Sequence, residues 1–222
     1  MKKLKSLVNN SIMLKRLKEW LFSLYYRRNL KLELCHGRVT SYVVGGGNSL
    51  IAKNGSFLDN TNVRIIGSNN TIIIGERVRI APQCTLMITG NHCKIEIGDD
   101  TTIRPVCQLE CKEDYSQIII GRDCMFSNHI HFRTNDGHFI YRKGTDERIN
   151  LPRSIEVGDH VWIAAWVKVL KGVTICSGSI VGVNSLVTHD VEENCIAAGV
   201  PAKIVKRDIE WTRHPKQMIS NS

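Results

Sequence analysis

The stretch Val157-Gly158-Asp159-His160-Val161-Trp162-Ile163-Ala164-Ala165-Trp166-Val167-Lys168-Val169 places an aliphatic residue at every sixth position. The step continues through Ile175, Val181 and Val187. Four places after each lead stands a small or β-branched residue: Val161, Val167, Val173, Ser179, Ser185 and Val191. Gly or Ala often follows the lead, as at Gly158, Ala164 and Gly182. A period of six is neither helical nor a simple strand alternation. It fits a coil whose flat faces are short strands of about six residues, with lead and small residue pointing inward. Three faces close a turn, and successive turns stack as parallel strands.

Upstream, the same pattern has a longer period. Ile51-Ala52, Ile74-Gly75, Ile97-Gly98 and Ile120-Gly121 stand 23 residues apart, followed six on by Phe57, Ile80, Ile103 and Phe126. Val63, Leu86, Leu109 and Phe132 come six later still. A 23-residue turn is an 18-residue turn with five residues bulging from one corner. The polar segments Gly67–Asn70, Gly90–Cys93 and Cys111–Asp114 suit such corners. The register puts Cys84 and Cys107 at the small inward position between Thr61 and Ile130. Free cysteine packs there as a small hydrophobe.

Composition agrees with one soluble domain carrying an appendage. The 222 residues are 42% hydrophobic and 23% charged, enough to bury about 70% of the unfolded surface. No apolar run approaches the length of a membrane span, and the amino end lacks the apolar core of a secretory signal. A cytoplasmic location is the expectation. Eight cysteines with no C-x-x-C pair, in a chain neither small nor visibly secreted, do not read as a disulfide framework. The net charge is +9, of which residues 1–28 carry +7. The remaining body is therefore not basic enough for a nucleic-acid-binding protein. Within residues 1–30, Leu4, Leu7, Val8, Leu14, Leu17, Leu21, Leu24 and Tyr25 fall at helical spacings opposite a Lys/Arg-rich side. Such an amphipathic helix either covers the open end of the coil or lies on anionic lipid at the inner membrane face. Residues 31–206 form the coil, and residues 207–222 form a tail.

The repeat breaks once. Ile120 to Val157 spans 37 residues where 23 are expected, so an insertion at about 133–156 leaves the coil after Phe132. An irregular loop on a rigid coil suits a functional group. His138 follows Gly137 and lies close to Asp136. Arg133, Arg142 and Arg148 are either a site for an anionic acceptor or a solvated charge cluster.

The hexapeptides, Asp136-Gly137-His138, Val161-Trp162-Ile163 and Ala198-Gly199-Val200-Pro201-Ala202-Lys203 together resemble the left-handed β-helix acyltransferases, in particular the bacterial sugar and polysaccharide O-acetyltransferases. The resemblance covers residues 51 to about 206. It implies an all-β fold, a left-handed parallel β-helix, against the usual right-handed crossover of parallel strands. It also implies a homotrimer with acetyl-CoA in the cleft between neighbouring coils, a sugar or glycan acceptor and no metal. His138 then corresponds to the catalytic base, whose reference pKa of about 6.5 suits proton removal from a hydroxyl. The tetrahedral oxyanion requires a donor, expected at a backbone N–H near Ala164. Either Asp136 or a backbone carbonyl fixes the histidine tautomer. Trp162 corresponds to a tryptophan lining the cleft and equally suits trimer-interface packing, as does the outward Trp166. The positions matching cofactor contacts are Ala164, Ala165, Val183, Thr188, Lys203 and Lys206, with the two lysines facing phosphates. Val183 replaces the usual alanine or glycine, and Ala164-Ala165 replaces Gly-Gly or Gly-Ser.

Three other readings stand beside this one. N-acetylation of an amino-sugar nucleotide or small xenobiotic uses the same cofactor and base. A non-catalytic coil serves as a scaffold. The zinc site of the γ-type carbonic anhydrases shares this coil, but His129, His131 and His92 are out of register with a ligand triad.

Overall fold

The computed structural model describes residues 30–33 and 36–215. The chain winds as a parallel β-solenoid, with no helix among the described residues. This is the left-handed parallel β-helix of the resemblance. On the first face, Leu30–Glu33, Asn48–Ala52, Thr71–Ile74, Lys94–Ile97, Gln117–Ile120, Ile155–Val157 and Thr174–Ile175 stack in that order. A second face stacks Arg79–Ile80, Thr102–Ile103, Met125–Phe126, Trp162–Ile163, Ile180–Val181 and Ile196–Gly199 above the start of Phe57–Ile66. On the third face, Thr85–Thr89, Gln108–Lys112, His131–Arg133, Lys168–Val169 and Leu186–Val187 stack above the end of that same strand. His36–Val44 pairs alongside Phe57–Ile66 and begins the stack.

Every sixth-position lead from Val157 to Val187 is buried, as is each small residue four places on. Together with the leads of the longer turns they fill one continuous core, which includes Cys84 and Cys107. Burying each aliphatic side chain contributes about 1.5–3 kcal/mol. From Thr71 onward strand segments are shorter than six residues because one corner places Arg77, Asp100, Asp123 and His160 at positive φ. A second corner does the same with Gln83, Val106, His129, Trp166 and Asn184. Each break turns the chain by about a third of a circle.

The first turn departs from the expected register. Ala52, not Ile51, lies opposite Ile74, and Leu58, not Phe57, lies opposite Ile80. Leu58 is fully buried and Phe57 is 43% exposed. The corner after Leu58 is one residue shorter than its successors, so residues 57–66 bend through it as a single strand. Val63 then pairs with Leu86 as the 23-residue period requires.

The amino-terminal helix expected for residues 1–30 lies outside the described residues, except for Leu30. At the other end, Ala202–Lys206 folds back antiparallel on Ile196–Gly199. Residues 207–215 then run along the outside of the coil to bury Trp211.

Candidate active site

The insertion is rooted in the core by Thr134, which is fully buried. Its Oγ1 accepts from the Lys112 amide at 2.8 Å and donates to the Lys112 carbonyl at 3.0 Å. The Thr134 amide donates to the Glu110 carbonyl at 3.2 Å, and the Arg153 amide donates to the Thr134 carbonyl at 3.0 Å. Both ends of the insertion therefore meet at one residue. Between them, residues 138–151 form a short arm bridged antiparallel at Tyr141 and Arg148.

The arm is tied down by charge. Arg148 reaches Glu113 with two bonds of 2.5 and 2.8 Å and lies over the Phe139 ring at 4.5 Å. Arg148 holds the Glu113 carboxyl below the usual carboxylate range. Arg142 pairs with Glu147 at 2.6 Å. Of the three arginines noted in the sequence, only Arg133 keeps a buried Nε with no hydrogen-bond partner among the described residues, and it lies 3.5 Å from Glu110.

His138 opens the arm, exposed, and its ring has no partner among the described residues. Gly137 before it has φ +87°, and a Cβ there would meet an Arg133 Nη at 3.1 Å. The backbone conformation favours glycine, and a side chain there would also have to displace the end of Arg133 slightly. The Asp136 carboxylate is taken by Lys171 Nζ at 2.6 Å and Asn150 Nδ2 at 3.0 Å. The lysine holds it below the ordinary Asp range. Asp136 anchors the loop to the coil, and no bond joins it to the His138 ring among the described residues. Lys171, Asn150 and Thr134 were not legible as site residues. Lys171 stands at an ordinary corner of the hexapeptide register, and Asn150 acts through contacts ten to fourteen residues away. An open groove of about 470 Å³ lies beside Gly137, lined by Arg64, Met87, Lys112, Glu113 and Asn135 among others.

Three of the other site residues, with Trp166, collect on a different corner of the coil. Ala164, Ala165, Trp166 and Val183 are joined there by the bonds Ala164 N–H to Val181 O and Asn184 N–H to Ala165 O, each 2.9 Å. The Ala164 amide is thus consumed by the ladder, whereas that of Ala165 has no acceptor among the described residues. Trp166 is 55% exposed and stacks on His129 with ring centroids 3.8 Å apart. Val183 is exposed beside it. Trp162 points outward on the second face, 6.1 Å from the Trp211 ring. Lys203 and Lys206 are exposed on the closing hairpin and free of ion pairs among the described residues. Thr188 Oγ1 pairs with His189 Nδ1 at 2.8 Å, on the same corner as Lys171. Within one chain, the insertion is rooted at one edge of the third face and the Ala165 corner lies at the other.

His131 and His92 are separately engaged. His131 lies half-buried with Nε2 3.5 Å from Glu110, and burial lowers its pKa. His92 stacks on Tyr115 at 5.1 Å.

No family model matches the chain. The polysialic acid O-acetyltransferase of Neisseria meningitidis is 31% identical over 179 residues, 77% of this chain and 78% of that protein. The polysialic acid O-acetyltransferase of Escherichia coli O1:K1 is 37% identical over 100 residues, 45% of this chain. The galactoside O-acetyltransferase of Escherichia coli K12 is 29% identical over 173 residues. The chain spans 33% and 61% of the lengths of these last two. Among solved structures, the polysialic-acid-specific acetyltransferase NeuO superposes with a TM-score of 0.75 at 30% identity, covering 86% of this chain and 85% of that one. The polysialic acid O-acetyltransferase OatWY gives 0.65 at 28% identity, covering 85% and 95%. With this fold and these relatives, the chain belongs to the bacterial sugar and polysaccharide O-acetyltransferases of the hexapeptide-repeat acyltransferase family.

Proposed function

We propose that the protein transfers an acetyl group from acetyl-CoA to a sugar hydroxyl of a bacterial surface glycan: capsule, O-antigen or a lipid-linked precursor. The observation that carries this reading is His138, exposed at the root of an arm whose backbone is fixed while its imidazole is free. The imidazole takes the hydroxyl proton as the sugar oxygen attacks the thioester carbonyl carbon. The Ala165 N–H is the available donor for the resulting oxyanion. Collapse breaks the carbon–sulfur bond, and the imidazolium returns its proton to the leaving sulfur, which regenerates the neutral base. The products are the O-acetylated sugar and free CoA, with no covalent enzyme intermediate.

The residues suit these substrates. Exposed Lys203 and Lys206 can meet phosphates, and small Ala165 with Val183 leaves room for a slender pantetheine chain. The groove beside Gly137 mixes polar Arg64, Lys112 and Asn135 with Met87, as a sugar ring requires. Within one coil the insertion that carries His138 is rooted at the edge of the third face away from Ala165, so the two groups start apart. A homotrimer in which one copy supplies His138 and its neighbour the Ala165 corner resolves this. Phe139, Ile140, Tyr141, Ile149 and Leu151, all exposed on the arm, are the surface such packing would cover. The basic segment 1–28 would hold the enzyme at the inner membrane face, near a lipid-linked acceptor.

The test is thiol release from acetyl-CoA across glycan, amino-sugar and xenobiotic acceptors, with intact protein and His138→Ala. The expected loss is about 10²–10⁴-fold on a glycan acceptor. Turnover confined to amine acceptors would establish N-acetylation instead. Absence of both turnover and acetyl-CoA binding in the intact protein would leave only a scaffold. Vesicle binding that survives deletion of residues 1–28 would remove the membrane role.

A further inference from the structure

Asn150 is 6% exposed and makes four side-chain hydrogen bonds, three of them to the segment 136–140 that carries His138. Oδ1 accepts from the Ile140 amide at 2.8 Å and from Arg148 Nε at 3.3 Å. Nδ2 donates to the His138 carbonyl at 2.8 Å and to Asp136 Oδ2 at 3.0 Å. The orientation of the side-chain amide is fixed by its partners, since the Ile140 N–H only donates and the His138 carbonyl only accepts. We propose that Asn150 is the positioning residue for His138: one buried side chain grips the chain before, at and after the base and fixes where the imidazole stands. This inference rests on His138 being the base.

The local chemistry explains why a clamp is needed. His138 is exposed, follows a glycine at φ +87°, and has no partner for its ring among the described residues. Nothing else on its own side chain restrains it. With residues 136, 138 and 140 held, the ring keeps only its own two torsions, and the hydroxyl meets a base already in place. A displacement of about 1 Å at such a base costs about 10²-fold in rate. Lys171 completes the frame by tying Asp136 to the coil and reaching the Leu151 carbonyl at 3.1 Å.

The test is a double-mutant cycle of Asn150→Ala and His138→Ala, read as kcat and KM for acetyl-CoA and acceptor, with folding followed by Tm. Asn150→Ala alone is expected to lower kcat by about 10–100-fold, as loss of a supporting hydrogen bond commonly does. Both KM values should stay within about 2-fold, since Asn150 touches neither substrate in this assignment. In the His138→Ala background the same change should cost less than about 2-fold, because a positioning residue has nothing left to position. Equal proportional losses in both backgrounds would mean a general effect on folding and would overturn the proposal, as would an unchanged kcat. Asn150→Ser fits the same space and retains one hydroxyl for the arm. It carries the cycle should the alanine variant fail to fold, and an intermediate kcat is expected. If His138→Ala itself loses no activity, the reading of His138 as the base fails, whatever Asn150 does.

Discussion

Trp211 and His160 hold each other by reciprocal hydrogen bonds. The indole Nε1–H donates to the His160 carbonyl at 2.9 Å, and the imidazole Nε2 meets the Trp211 carbonyl at 2.9 Å. Their rings stack 3.9 Å apart and 9° from parallel. Asp123 completes the contact, bonding His160 Nδ1 at 2.7 Å and Arg213 Nε at 2.9 Å. The carboxy-terminal segment is thereby seated against the second face, beside Trp162. Trp211→Ala removes the stack and one of the two bonds. The expected cost is about 2 kcal/mol from lost apolar burial, which for a chain of this size lowers Tm by about 4–8 °C. Protease cleavage after Arg207 or Arg213 should also become faster. Unchanged Tm and cleavage would mean that the segment does not dock.

Acid should loosen the arm before it unfolds the coil. Asp136 and Glu113, the carboxylates that tie it down, are held below their ordinary ranges by Lys171 and Arg148. Their contribution is therefore complete above about pH 4–4.5, where unfolded Asp and Glu have ionised. It is lost as the pH falls through the lowered values. The coil's core is aliphatic and does not titrate in this range. Hydrogen exchange should show amides of residues 136–151 losing protection below about pH 4 while those of the stacked faces keep it. Simultaneous loss of protection in arm and coil would contradict the expectation.

The register of the first turn separates two neighbouring residues by their cost. Leu58→Ala should destabilise by about 2–5 kcal/mol, the usual range for a buried leucine. Phe57→Ala should change stability by about 0.5 kcal/mol or less, as at a surface site. The sequence pattern alone predicts the reverse order, because Phe57 falls on the 23-residue spacing and Leu58 does not. Periodicity reads the later turns correctly since each corner there has the same length. At the first turn the shorter corner after Leu58 absorbs one residue, and spacing cannot say which corner does so. Urea midpoints of the two variants decide the register directly.

The site was legible to a similar depth. His138 stands out because an insertion interrupts a strict repeat, and insertions on a coil are visible as a break in arithmetic. What holds His138 is not visible in that way. Asp136 is one of the two partners the sequence offers, beside a backbone carbonyl, and its carboxylate turns to Lys171 and Asn150. Those contacts depend on the arm folding back on itself, and no local pattern encodes that fold. The repeat places an oxyanion donor only in the neighbourhood of Ala164. Hydrogen-bond bookkeeping on the ladder, rather than spacing, shows that the Ala164 amide is consumed and the Ala165 amide is not.

That difference gives the sharpest test of the chemistry. Pro82, Pro105, Asn128, Ala165 and Val183 occupy one corner position in successive turns. Each directly precedes a residue at positive φ: Gln83, Val106, His129, Trp166 or Asn184. Two of the five are already proline, so the backbone at this position accepts the fixed φ of proline without strain. The amide there also contributes nothing to the stacked ladder. Ala165→Pro should therefore fold with a near-normal Tm while losing the N–H of residue 165. The expected loss in kcat is about 10²–10³-fold, the usual effect of removing one oxyanion donor. The matching change at the neighbouring turn, Asn128→Pro, removes an equivalent amide and should leave kcat within about 10-fold if the donor is specific to residue 165. A fully active Ala165→Pro protein would move the oxyanion donor to another group. The fold would stand, and the assignment of the transfer centre to the Ala165 corner would not.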